Sequence, residues 1–151
     1  MRASALSSGS SGNCFYIEKG NSSVLIDIGI STKKVLERMN SLKLNPSKVK
    51  GIFVTHEHID HIRGIDVFAR KFNVPIYATK GTIKSGFLCS NEKLINEIKA
   101  DDTININGLN ISSFSKYHQA EEPVSYSIYD NKKLTSVITD AGHSCKNINE
   151  N

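Results

Sequence analysis

Residues 51–61, GIFVTHEHIDH, constrain this chain more than any other stretch. GIFVT is a short continuous apolar run, the pattern of a strand covered on both faces, and so implies a layered α/β body. Three imidazoles and a carboxylate follow at once: His56, His58, Asp60 and His61. A core does not absorb that many polar groups, so the strand should end at a site. Imidazole and carboxylate are ligand types of zinc and its first-row neighbours. In extended chain leaving a strand, positions two apart point the same way, so His56 and His58 can reach one ion. Asp60 and His61 come after the chain bends toward a helix and can serve a second. The competing reading is a hydrophilic surface loop that happens to be rich in histidine. Glu57, between two candidate ligands and pointing away from them, reads as solvated.

The chain holds five histidines, and three are in this loop. His118 follows the apolar-periodic run LNISSFS, and His143 follows KLTSVITD. Both therefore sit at strand ends, where sites are built on layered folds. A capped or exposed loop histidine is the alternative for His118, and the adjacent metal loop favours ligation. Asp140, in ITDAG, could cap a turn or bridge two cations.

The rest of the chain supplies a scaffold of matching kind. Residues 2–6, 14–18 and 23–28 read as strands, the last two joined by the turn KGNS as a hairpin. A helix should start at Ser31 or Thr32, with Val35, Leu36, Met39 and Leu42 on one face. A second is expected over about 64–72, then a buried strand at 74–79. Residues 81–100 read as helix or helices with a break near Ser90 and Asn91. TININ, LNISSFS, VSYSIYD and KLTSVITD read as strands, with DNKK as a hairpin turn. Layered sheets flanked by helices are the expected α/β (α+β) architecture.

Composition adds exclusions. At 151 residues the chain suits one domain with a real core. A net charge of +4 permits a polyanionic substrate without the dense basic stripe of a dedicated nucleic-acid binder. Three cysteines with no C-x-x-C spacing fit a reducing compartment. No apolar run is long enough to span a bilayer. A cytoplasmic protein with no membrane partner is the expectation.

HEHIDH matches the H-x-H-x-D-H signature of the metallo-β-lactamase fold superfamily. VLIDIGIS upstream, a histidine after a later strand, and TDAG after that continue its order. More narrowly, SSGSSGNCFYIE, IFVTHEHIDHIRG, VPIYATKGT and EEPVSYSI resemble the YycJ (WalJ)-type branch, described as metal-dependent nuclease or phosphodiesterase-like hydrolases. The likeness runs from residue 1 to about 142. It also marks SSGSSGN as a native strand-to-strand loop, although the motif looks like an expression linker. Where that branch has an acidic residue after the later histidine, this chain has Gln119.

The resemblance implies an αββα sandwich, here its N-terminal half and the start of the second, as one apparently incomplete domain over 1–151. It implies two divalent ions, zinc foremost, with manganese or iron also suited. His56, His58 and His118 would hold the first, Asp60 and His61 the second, and Asp140 would bridge them, with Asp60 and Asp140 the catalytic carboxylates. Asp27 would hold a ligating imidazole from behind, or else be a simple turn carboxylate before Gly29. The reaction expected is attack of metal-activated hydroxide on a phosphodiester in nucleic acid. Thioesters, lactones or lactams are the same-fold alternatives, and a non-catalytic metal-binding or association fragment is the alternative from another class. Ser10, Ser11, Gly12 and Asn13 could form an anion-binding concavity or a plain connector. His143 is a further candidate ligand. An uncovered sheet edge would invite a homo-oligomer.

Overall fold

The computed structural model describes residues 1–140; the candidate ligand His143 lies outside them. Two sheets form the body. The first has six strands in sequence order: β1 (Arg2–Ser7), β2 (Cys14–Lys19), β3 (Ser22–Ile26), β4 (Val49–Phe53), β5 (Ile76–Thr79) and β6 (Ile95–Ile98). β1 to β3 are antiparallel neighbours, while β3 to β6 run parallel. Parallel strands need crossovers, and these are α1 (Thr32–Ser41), then α2 (Ile59–Ile62) with α3 (Ile65–Phe72), then α4 (Lys80–Ser85). The second sheet is an antiparallel meander of β7 (Thr103–Ile106), β8 (Leu109–Ser115), β9 (Val124–Tyr129) and β10 (Leu134–Val137), with β7 and β10 at its edges.

Strand alternation divides the core in two. From β2, β3 and β4, Tyr16, Leu25 and Ile52 face the helices, where Val35, Met39, Ile65 and Phe68 cover them. The intervening Ile17, Val24, Ile26 and Phe53 face the second sheet and meet Leu109, Ile111, Tyr126 and Ile128. Both faces of the first sheet are thus buried, which is why SVLI and GIFV are apolar without interruption. The layers are pinned beside the end of β4: the Tyr126 hydroxyl donates to Val54 O at 2.8 Å, and Val124 N donates to Thr55 O at 2.9 Å. Phe53 stacks on Tyr77 and takes Tyr126 edge-on.

Most element expectations agree with the fold, including α1 starting after an N-cap at Ser31 whose hydroxyl accepts from Lys34 N. The stretch 81–100 does not. Its helix ends at Ser85, where Gly86 turns extended, and Ile95–Ile98 is a parallel strand beside β5. Ile95 packs toward the helix layer and Ile98 toward the second sheet. A four-residue strand with one apolar side chain per face has neither a helical stripe nor an alternating pattern, so periodicity could not identify it. SSGSSGN is the β1–β2 connection, as expected.

Candidate metal centre

Among the described residues, the nominated His56, His58, Asp60, His61, His118 and Asp140 lie together at one end of the two sheets. β4 delivers Thr55 and His56, and α2 carries Asp60 and His61 at its start. β8 leads to His118, and β10 leads to Asp140. His56 and His61 are fully buried.

Two groups of donor atoms form. His56, His58 and His118 make one, and His56, His61 and Asp140 the other; within each group the donor atoms lie within 4.8 Å of one another. His56 Nε2 is 3.1 Å from His58 Nδ1, and His118 Nε2 is 3.4 Å from that same atom. Nitrogens bound tetrahedrally to zinc are held about 3.3 Å apart by their Zn–N distances. The donor set and its spacing therefore fit an ion. In the second group His61 Nε2 lies 2.8 Å from Asp140 Oδ2; Asp60, outside both groups, has Oδ2 3.5 Å from the same nitrogen. The same Asp140 oxygen is 4.0 Å from His56 Nε2, the residue the two groups share.

The rings are aimed from behind. Asp27, fully buried, accepts from Thr55 N at 2.8 Å through Oδ1. Its Oδ2 accepts from the Thr55 hydroxyl at 2.7 Å and faces His61 Nδ1 at 2.7 Å. With its own proton committed to Asp27, Thr55 Oγ1 accepts from His56 Nδ1 at 3.0 Å. Both imidazoles thus carry their proton on Nδ1 and turn the Nε2 lone pair into the site, as ligation requires. Burial, with the neighbouring His61 and Lys116 charges adding to it, pushes the His56 imidazolium down to about 2. For His61 burial works in the same direction, but the hydrogen bond to Asp27 and the charges of Asp27, Asp140 and Asp60 outweigh it and raise the pKa.

Backbone threading fixes the loops. Asp27 sits in left-handed backbone (φ 57°), and its N–H donates to Phe53 O. Ile28 N donates to His61 O, Asn13 N to Asp60 O, and Gly29 N to Asn13 O, all within 2.7–2.8 Å. Gly29 is required there: a Cβ would fall 1.6 Å from Asp60 O.

Thr55 and Lys116 escaped the sequence reading, and Asn13 and Glu57 play parts other than those it gave them. Thr55 links Asp27 to both buried rings, and only its place before His56 hinted at this. The Asn13 side chain closes the Ser/Gly loop through Gly9 N and O and reaches within 3.2 Å of His61 Nε2. Gly12 N is likewise taken by Gly9 O. Glu57 is not solvated as expected. It is half-buried, with Oε1 accepting from Glu121 N at 2.9 Å, so it ties the histidine loop to the segment after His118. Lys116 is 6% exposed; it donates from Nζ to Thr139 O at 2.7 Å and lies 3.3 Å from Thr139 Oγ1. Burial lowers its pKa, with partial relief from the charges of Asp27 and Asp140. Alternation along β8 gave no signal for Lys116, because the residues facing the core are Leu109 and Ile111, of the other parity.

A family profile described as the metallo-beta-lactamase superfamily matches residues 8–141. The chain belongs to that superfamily. Exodeoxyribonuclease YycJ of Bacillus anthracis is 35% identical over 148 residues, spanning 95% of this chain and 55% of that protein. Exodeoxyribonuclease WalJ of Streptococcus pneumoniae strain D39 is 35% identical over 150 residues with the same coverage. The chain thus spans about half the length of these curated relatives. Among solved structures, a B3 metallo-β-lactamase with an active-site glutamic acid superposes at a TM-score of 0.74 and 18% identity, covering 89% of this chain and 57% of that one. Rm3 metallo-β-lactamase superposes at 0.73 and 14%, covering 94% and 62%. These two share the fold. Among the described residues no helix is long and apolar enough to cross a membrane.

Proposed function

We propose that this chain carries the metal-binding half-site of a nuclease that removes nucleotides from DNA ends. The observation that carries the reading is the meeting of two donor groups at His56, the second completed by His61 and Asp140. The proteins at 35% identity bear the name exodeoxyribonuclease, which supplies the substrate class.

In this reading His56, His58 and His118 would hold one divalent ion. Asp60, His61 and Asp140 would hold a second. Ions held there would lower the pKa of a bound water and offset negative charge on a phosphoryl group. The chain's own part is to aim and to balance charge. Asp27 and Thr55 hold the His56 and His61 lone pairs inward, and the low pKa of His56 keeps its ring available at any working pH. Asp60 and Asp140 bring negative charge that offsets the ions and leaves the site able to take a phosphodiester anion.

The test is turnover by this chain, supplied with manganese or zinc, of DNA labelled at either end, beside a thioester and a cephalosporin. Release of mononucleotides from DNA, lost in H56A, supports the reading. Hydrolysis confined to the thioester or the cephalosporin overturns the substrate. Ion binding with no turnover of any of them leaves a metal-binding module instead.

A further inference from the structure

Asp140 follows β10 and leaves the last sheet pairing, Val137 with Tyr126, behind it. Its backbone is left-handed (φ 50°) and its side chain is 39% exposed, so sheet register alone does not direct the carboxylate. What does hold the segment is Lys116. This residue leaves the end of β8, where its N–H donates to Pro123 O, and its ammonium reaches past β9 to both oxygens of Thr139. The lysine thereby connects the strand end bearing His118, two residues beyond it, to the strand end bearing Asp140, one residue beyond Thr139.

The choice of side chain is informative. Among the described residues no carboxylate lies close enough to pair with this buried ammonium, and burying a charge without a pair costs several kcal/mol. A neutral donor would tie two strand ends at lower cost. A cation also sits badly beside a cation site unless the geometry it imposes matters more than the repulsion it adds.

We propose that Lys116 is a positioning residue for the second ion: by gripping Thr139 it turns the Asp140 carboxylate between His56 and His61. The inference rests on the two-ion reading of the site. It assigns Lys116 no contact with substrate. The two possible roles of the lysine have opposite signs. If the grip on Thr139 dominates, removing the ammonium weakens the second ion only. If the charge dominates, removing it tightens both.

Zinc titrated calorimetrically into the ion-free chain, K116M, K116Q and D140N separates these outcomes, with thermal unfolding of each ion-free protein alongside. The expected result is two ions in the unaltered chain. K116M should hold the first ion within about threefold and the second roughly tenfold or more weakly, following D140N. Unchanged or tighter binding in K116M overturns the proposal, as does a parallel loss of both ions together with a lowered unfolding temperature. Should K116M not fold, K116Q, whose shorter amide falls short of Thr139 O, decides by the same criteria. Failure of both to fold assigns the lysine to the fold and overturns the proposal too. One ion in the unaltered chain refutes the two-ion reading, whereas two ions there and a second ion held as tightly in K116M refute only the role of Lys116.

Discussion

Asp27 Oδ2 and His61 Nδ1 meet at 2.7 Å with both side chains fully buried, and the same carboxylate also accepts from the backbone and the hydroxyl of Thr55. One residue thus satisfies three donors and sets the tautomer of a candidate ligand. Replacing it with alanine leaves those donors buried without a partner. D27A should lose about 3–5 kcal/mol of stability, measurable by urea unfolding. D27N keeps the shape but removes the charge, and should weaken zinc binding about 10–100-fold with a smaller loss of stability.

Gly29 makes the closest backbone approach at the site. G29A places a Cβ against Asp60 O and must displace the start of α2, so it should cost about 3 kcal/mol or more and lower zinc affinity. Gly20, in the β2–β3 turn, is the contrast. Its φ is +59°, yet nothing lies within 4 Å of a built Cβ, so G20A should cost about 1 kcal/mol and leave zinc binding unchanged. Equal losses of zinc affinity in the two variants would contradict this.

How legible the molecule is from sequence depends on where the information lies. The histidine loop is legible because ligand chemistry is local: HEHIDH names its own residue types and spacing, and the fold does bring them together. The central strands are legible because burial on both faces leaves a continuous apolar run at Leu25 and Ile52. β6 was not, since its two apolar residues face opposite ways. Nor were Thr55, Glu57 and Lys116, whose roles come from partners 28 residues away for Thr55, 64 for Glu57 and 23 for Lys116. A polar side chain carries no mark of a distant acceptor.

Asp66, in the first turn of α3, provides a pH-dependent contribution remote from the site. It accepts from Arg70 at 2.8 Å and 3.0 Å and from both the N–H and the hydroxyl of Ser90. The Arg70 hydrogen bond foremost, with those from Ser90, holds its carboxyl well below the usual range. A depressed carboxyl stabilises the fold above its unfolded pKa of about 3.9, and the contribution fades as pH falls toward the folded value. D66N should therefore be less stable than the unaltered chain by about 1 kcal/mol at neutral pH. The gap should close as acid unfolding is followed below about pH 4. A gap that stays constant through the acid range would mean that Asp66 acts through its shape and not its charge.

Ion removal should be visible in stability as well as in activity. The donor groups tie β4, α2, β8 and β10 together, and an ion that binds only this folded arrangement stabilises it by mass action. Zinc at a hundredfold excess over its dissociation constant adds about 2.7 kcal/mol per site. For a chain of this size that corresponds to about 5–10 °C in Tm. Chelator should lower Tm by that order, and restored zinc should recover it. H118A removes a donor from the first group only, so part of the zinc-dependent shift should remain. H56A removes the donor common to both groups, and its Tm should be insensitive to zinc. An equal zinc-dependent shift in H56A and the unaltered chain would place the ion elsewhere.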